Sequence, residues 1–256
     1  MKNKILLSLL IFINTMAVAQ NDASNLQHIL IPKPVSFIAG AGKFLLPANL
    51  SILFTKNEEV KKIAGSLANQ LTAAGITATV TEANTGAVNS IFLSLSTDKT
   101  IAAEGYRLQV TANGVTIAAL TPAGIFYGVQ TLLQLLPKQI ESNQIQKGVA
   151  GWTIPFVTIE DAPRFGWRGL MLDVSRHFFT VAQVKDYINQ MAKYKFNLLH
   201  LHLTDDQGWR LQIKTLPRLT EVGAWRVDKT GSFGRFSKPE PNEPKTYGGF
   251  YKHEDL

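Results

Sequence analysis

Two stretches of the chain concentrate side chains able to do chemistry. The first runs Arg168-Gly169-Leu170-Met171-Leu172-Asp173-Val174-Ser175-Arg176-His177, the second His200-Leu201-His202-Leu203-Thr204-Asp205-Asp206-Gln207-Gly208-Trp209. Each reads as a strand ending in a polar cluster, and in a parallel barrel functional groups gather at the C-terminal ends of strands. Asp205-Asp206 is the sharper signal. Paired carboxylates there can bind a sugar hydroxyl, ligate a metal, or serve as acid and base, and Trp209 offers a flat apolar face to a pyranose ring. The same pair can equally cap the next turn. Arg168 can fork across two hydroxyls or hold a carboxylate, or form a structural ion pair with Asp173 or Asp205. Asp173, Arg176 and His177 read as braces of the strand end. His200 and His202 share one strand face, a spacing that suits metal ligation. A real site would need further ligands, so packed, hydrogen-bonded histidines are the plainer reading and no metal site is assigned.

These clusters need elements to carry them. Arg168 to Val174 and Asn197 to Thr204 have the length and alternation of strands, and Val181 to Lys195 reads as an amphipathic helix through Val184, Ile188 and Met191. A strand–helix–strand unit with a crossover of this length predicts parallel pairing. Upstream, from about Asn25 to Glu160, strand and helix signals mix. Asn57 to Ala74 has helical spacing with Gly75 as its stop. Ile91 to Ser96 reads as a buried strand. Tyr106 to Thr111 and Val115 to Leu120 alternate around Asn113-Gly114, a hairpin signal. A second helix, with Ile125, Val129, Leu132, Leu133 and Leu136 on one stripe, ends at Pro137. This half is an α+β unit with nothing spaced for chemistry. Thr230 to Gly249 reads as a long loop, and Lys252 to Leu256 as the start of a helix, with its acids near the positive end of the dipole.

The composition is ordinary globular stock, with 45% hydrophobic and 18% charged residues in 256, which argues against disorder, collagen or coiled coil. The absence of cysteine removes disulfides, thiolate metal sites and cysteine nucleophiles. The formal charge of +7 includes Lys2 and Lys4 and holds no basic run, so no nucleic-acid partner is expected. Lys2 and Lys4, the apolar run Ile5 to Ile13 and the small residues Ala17-Val18-Ala19 have the layout of a secretory signal peptide over residues 1–19. The run covers roughly 14 Å at about 1.5 Å per residue, short of a bilayer core of about 30 Å, so no membrane span is expected. The reading is export to the periplasm or medium.

Beyond these generic signals, particular runs resemble a known family. Arg168-Gly169-x-x-Leu172-Asp173-x-Ser175-Arg176-His177-Phe178, Lys195-Phe196-Asn197, and His200-Leu201-His202-Leu203-x-Asp205-Asp206-Gln207-Gly208-Trp209-Arg210 closely resemble glycoside hydrolase family 20, the β-N-acetylhexosaminidases. Ile31-Pro32-Lys33-Pro34, Glu104-Gly105-Tyr106-x-Leu108, and the run from Gly124 to Pro137 are similar to that family's accessory domain. The resemblance implies an accessory α+β domain over residues 20–160, followed over 161–256 by the first βα units of a (β/α)8 TIM barrel, incomplete in this chain. It implies a retaining exo-hydrolase, working without cofactor on terminal β-linked N-acetylglucosamine or N-acetylgalactosamine. The substrate's own acetamido oxygen attacks C1, a glutamic acid protonates the leaving oxygen, and the aspartate before it orients the acetamido group. By residue match Arg168 is expected to bind the non-reducing hydroxyls, with Asp205 accepting from the same hydroxyls and pairing with Arg168. Asp173, Arg176, His177, His202, Asp206 and Trp209 are expected in support.

The family's acid and its partner lie in a His-x-Gly-Gly-Asp-Glu segment, and no Asp-Glu dipeptide occurs among the 256 residues. The pair, with the aromatic residues that wall the acetamido pocket, is expected beyond Leu256. The chain then reads as the N-terminal part of a hexosaminidase, inactive as it stands. Two other readings compete: a non-catalytic glycan- or partner-binding remnant, and a metal-dependent barrel hydrolase built on His200 and His202. Amino-sugar preference and oligomeric state are not legible.

Overall fold

In the computed structural model, residues 29–142, 151–229 and 240–256 are described. The leader read over 1–19 and the first half of the 230–249 loop lie outside them. The chain divides into two units, Met1–Gly166 and Trp167–Leu256.

In the first unit, Asn57 closes the start of helix α1 (Glu58–Ala73) by accepting from the N–H groups of Glu59 and Val60, a cap contributing about 1 kcal/mol. Gly75, at φ +95, ends it, and the Ile76 N–H turns back to the Leu71 carbonyl at 3.0 Å. Helix α2 (Pro122–Leu135) starts on a Thr121 cap with proline in its first turn. Between and around them run β1 (Ser36–Leu45), β2 (Asn49–Phe54), β3 (Thr77–Glu82), β4 (Ser90–Leu95), β5 (Tyr106–Thr111), β6 (Gly114–Ala119) and β7 (Thr153–Asp161). They form one seven-stranded sheet in the order β1-β7-β5-β6-β4-β2-β3. Its β6-β4-β2-β3 half is parallel and the rest antiparallel. Period-two burial puts Leu50, Ile52, Leu108, Ile117 and Ile159 in one core with Val60, Leu67, Leu71, Ile125 and Leu132 of the helices. The opposite face keeps Arg107, bonded to Asp98 and Glu160.

One expectation shifts. The β5–β6 turn is Ala112-Asn113, and Gly114 already pairs with Thr111. Gly114 sits at φ +141, where a Cβ would stand 2.5 Å from the Ser90 carbonyl oxygen, so this glycine serves close strand approach rather than the turn. The sheet keeps Asp161 as the last residue of β7, and the two compact units divide between 166 and 167.

In the second unit, β8 (Gly169–Asp173) and β9 (Leu198–His202) pair in parallel, Gly169 opposite Leu198 and Asp173 opposite His202. The crossover helix α3 (Val181–Lys193) opens on a Thr180–Gln183 capping box. It closes with Lys195 at φ +63, and the Phe196 N–H bonds to the Met191 carbonyl at 3.0 Å. A short hairpin of β10 (Thr204–Asp205) and β11 (Gly208–Trp209) follows. The helix read from Lys252 is a single 3-10 turn, His253–Asp255. Among the described residues no helix is long and apolar enough to cross a membrane.

Candidate functional site

The parallel register decides which polar residues can meet. Residues that open β8 and β9 lie at one edge of the pair and residues that close them at the other, about 13 Å apart over the four steps of β8. Arg168 belongs to the opening edge. Its N–H donates to Asn197 Oδ1 at 3.0 Å and its Nε to the Lys195 carbonyl at 2.8 Å. Asp205 lies just past the closing edge. The expected Arg168–Asp205 pair does not form, because a parallel pair carries the two to opposite ends.

A different arginine reaches Asp205. Asp173 closes β8, and its Oδ1 accepts from the N–H groups of Ser175 and Arg176, both at 3.0 Å, an Asx turn that bends the chain back over the strand. Arg176 thereby aims its guanidinium along the closing edge. Nη1 meets Asp173 Oδ2 and Nη2 meets Asp205 Oδ2, each at 2.8 Å. His202 Nε2 stands 2.9 Å from Asp205 Oδ2 and 3.1 Å from Arg176 Nη1. One imidazole nitrogen either donates to the carboxylate or accepts from the guanidinium, so the tautomer selects one of the two.

Both carboxyls are held below their ordinary range. For Asp205 the Asp206 N–H, the His202 ring and the Arg176 charge outweigh burial. For Asp173 burial pushes upward, and the N–H and guanidinium of Arg176 with the Ser175 N–H more than offset it. Both are therefore ionised at neutral pH. They form a short acidic edge that one guanidinium and a histidine partly neutralise; within it Asp205 is the carboxylate suited to accepting hydrogen bonds from hydroxyls, Asp173 being engaged by its own turn.

Beneath this edge lies a group whose role the sequence reading did not assign. Arg210 is fully buried. Its Nε donates to the Val174 carbonyl at 3.0 Å, Nη2 to Ser175 at 2.8 Å, and Nη1 to Ala224 and Gly249 at 2.6 and 3.1 Å. Burial lowers its pKa, yet an arginine stays charged at neutral pH. Ser175 Oγ adds a bond to the Gly208 carbonyl at 2.7 Å. The loop that carries Arg176 and the hairpin that carries Asp205 are thus tied together from below. Gly208 is required there, since a Cβ would overlap the Arg210 guanidinium. The signal in the sequence was a glycine two residues before an arginine, in a run otherwise read for its acids.

The remaining candidates separate. Asp206 is exposed and gives Asp205 only its N–H, at 2.8 Å. His177 and His200 are exposed. Trp209 is half-buried, its Nε1 donating to the Leu211 carbonyl at 2.6 Å. His202 is engaged by Asp205 and Arg176. Among the described residues no group of three or more His, Asp or Glu side chains could hold a metal ion.

Comparison with known proteins bears on both units. Residues 27–162 match the family model for glycosyl hydrolase family 20, domain 2, and residues 165–256 match that for the glycosyl hydrolase family 20 catalytic domain. The chain belongs to glycoside hydrolase family 20. Among curated family members, the beta-hexosaminidase of Porphyromonas gingivalis is 38% identical over 228 residues, covering 89% of this chain and 27% of its own length. The beta-N-acetylhexosaminidase of Cellulomonas fimi is 38% identical over 199 residues, 76% of this chain and 38% of its own. The solved Streptomyces plicatus N-acetyl-beta-hexosaminidase in complex with Thio-NAglucal superposes with a TM-score of 0.76 at 39% identity. That match covers 90% of this chain and 42% of that one. The chain therefore spans roughly a quarter to two fifths of these relatives. The Asp173–Arg176–His202–Asp205 cluster and Arg210 all lie within the catalytic-domain match.

Proposed function

We propose that this chain is the N-terminal part of an exported exo-β-N-acetylhexosaminidase, and that its closing-edge cluster grips the terminal N-acetylhexosamine. The observation that carries the reading is the Arg176–Asp205 pair, 2.8 Å long and placed past the C-terminal ends of β8 and β9. A guanidinium beside an ionised carboxylate presents donors and acceptors at hydroxyl spacing, so vicinal hydroxyls at the non-reducing end of a pyranose satisfy both. Arg176 takes the role expected of Arg168, which lies at the other edge. Support comes from a Streptomyces plicatus relative solved in complex with product GlcNAc and from the leader read over residues 1–19.

The reaction follows the retaining, substrate-assisted course, in which the acetamido oxygen attacks C1 and a general acid protonates the leaving oxygen. This chain holds the sugar. The Asp-Glu pair that completes the chemistry is absent from its 256 residues.

The test is hydrolysis of a nitrophenyl β-N-acetylglucosaminide by the full-length gene product. Arg176→Gln and Asp205→Asn should each lower kcat/KM by about 10- to 100-fold, the range for losing a charge-assisted hydrogen bond, while Arg168→Ala costs less than either. Equal activity in all three variants would remove the reading. Residues 20–256 alone should release no nitrophenol.

A further inference from the structure

If Arg176 grips the sugar, something must hold a long, flexible side chain in one pose, since a free arginine side chain carries about 2 kcal/mol of rotamer entropy. Every hydrogen bond to the Asp173 carboxylate comes from its own turn: the N–H groups of Ser175 and Arg176 on Oδ1, and Arg176 Nη1 on Oδ2. Asp173 therefore fixes Arg176 twice, once through its backbone and once through its head group. With Nη1 committed to Asp173, Nη2 is the nitrogen turned to Asp205. Below, Arg210 holds the Val174 and Ser175 carbonyls, so the turn cannot drift when the sugar leaves. Asp173 lies one residue short of the loop, at the end of β8, opposite His202.

We propose that Asp173 is a positioning residue for sugar recognition, acting through its ion pair with Arg176 and touching no substrate itself. The proposal rests on the reading of Arg176 and Asp205 as the sugar grip. It adds the prediction that a third residue, a carboxylate out of contact with the sugar, controls affinity as strongly as the two residues in contact.

The experiment measures KM and kcat for a nitrophenyl β-N-acetylglucosaminide on the full-length protein, with melting temperature recorded for each variant. Asp173→Asn keeps the size and one acceptor for the turn but replaces the charge facing Nη1 with an amide. KM should rise about tenfold with kcat nearly unchanged, the pattern of binding lost equally from ground and transition states. In an Arg176→Gln background the same change should alter KM by less than about twofold, because the partner it acts through is gone. A fall in kcat and melting temperature without a KM change would mark a merely structural aspartate and overturn the proposal, as would full effect in the Arg176→Gln background. Should Asp173→Asn not fold, Asp173→Glu carries the test. Its longer carboxylate still reaches Nη1, so KM should stay within about threefold of wild type, and a tenfold rise at normal melting temperature overturns the ion-pair role. If Arg176→Gln and Asp205→Asn themselves leave KM unchanged, it is the sugar-grip reading that fails.

Discussion

The two units fill their interiors with different chemistry. Met1–Gly166 packs Leu50, Ile52, Leu71, Leu108, Ile117 and Leu132 between a sheet and two helices. Among the described residues between Trp167 and Leu256 the buried hydrophobic ones are Val174, Met191, Ala224 and Tyr251, and the largest fully buried side chain is Arg210. Hydrocarbon burial is non-directional and tolerates small shifts, whereas a guanidinium donating to four carbonyls fixes three segments in register. A unit whose task is stability can be built the first way. A unit that must hold Arg176 and Asp205 2.8 Å apart gains from the second.

This contrast is open to attack from both sides. Arg210→Met should cost on the order of 5 kcal/mol, because four buried carbonyls lose their donor at about 1–3 kcal/mol each before relaxation. Hydrogen exchange should show the loss confined to Trp167–Leu256, with the β4 and β6 amides unmoved. Leu132→Ala should cost about 3 kcal/mol through a cavity in the first unit, with the opposite exchange pattern; equal loosening of both units would erase the distinction. Asn57→Ala, removing the α1 cap, should cost about 1 kcal/mol in chemical denaturation. The smallest effect concerns acid. Thr100, through its hydroxyl and its N–H, and then Arg107, hold the Asp98 carboxyl at about 2. Its folded value lies below the unfolded one, so its contribution is present above about 3.9 and fades as pH falls through about 2. Carboxyl NMR should show that titration in the wild type and an upward move in Thr100→Val.

Much of this architecture is legible in the sequence. The helical spacing before Gly75, the stripe from Ile125 to Leu136 before Pro137 and the spacing of Val184, Ile188 and Met191 mark three helices, and the strand–helix–strand spacing requires β8 and β9 to run parallel. β1 and β7 escaped notice for a physical reason. A bulge between Ala39 and Lys43 shifts their register, so burial on β7 passes from Ile154 to Val157 and the period-two signal breaks. The site was half legible. Residue types at strand ends marked Asp205 and its neighbours, but pairing Arg168 with it ignored the direction of the strands, which carries those two residues to opposite edges. Arg210 escaped because a lone arginine in a sequence reads as surface, and only packing reveals that four carbonyls surround it.

The decisive measurement is calorimetric titration of the full-length protein with N-acetylglucosamine, wild type against Asp205→Asn. A carboxylate held ionised by Asp206, His202 and Arg176 and used to accept sugar hydroxyls should, when replaced by an amide, cost at least about tenfold in affinity at unchanged melting temperature. An affinity unaltered by the substitution would mean that the closing edge of β8 and β9 is scaffolding, and that the sugar is held elsewhere.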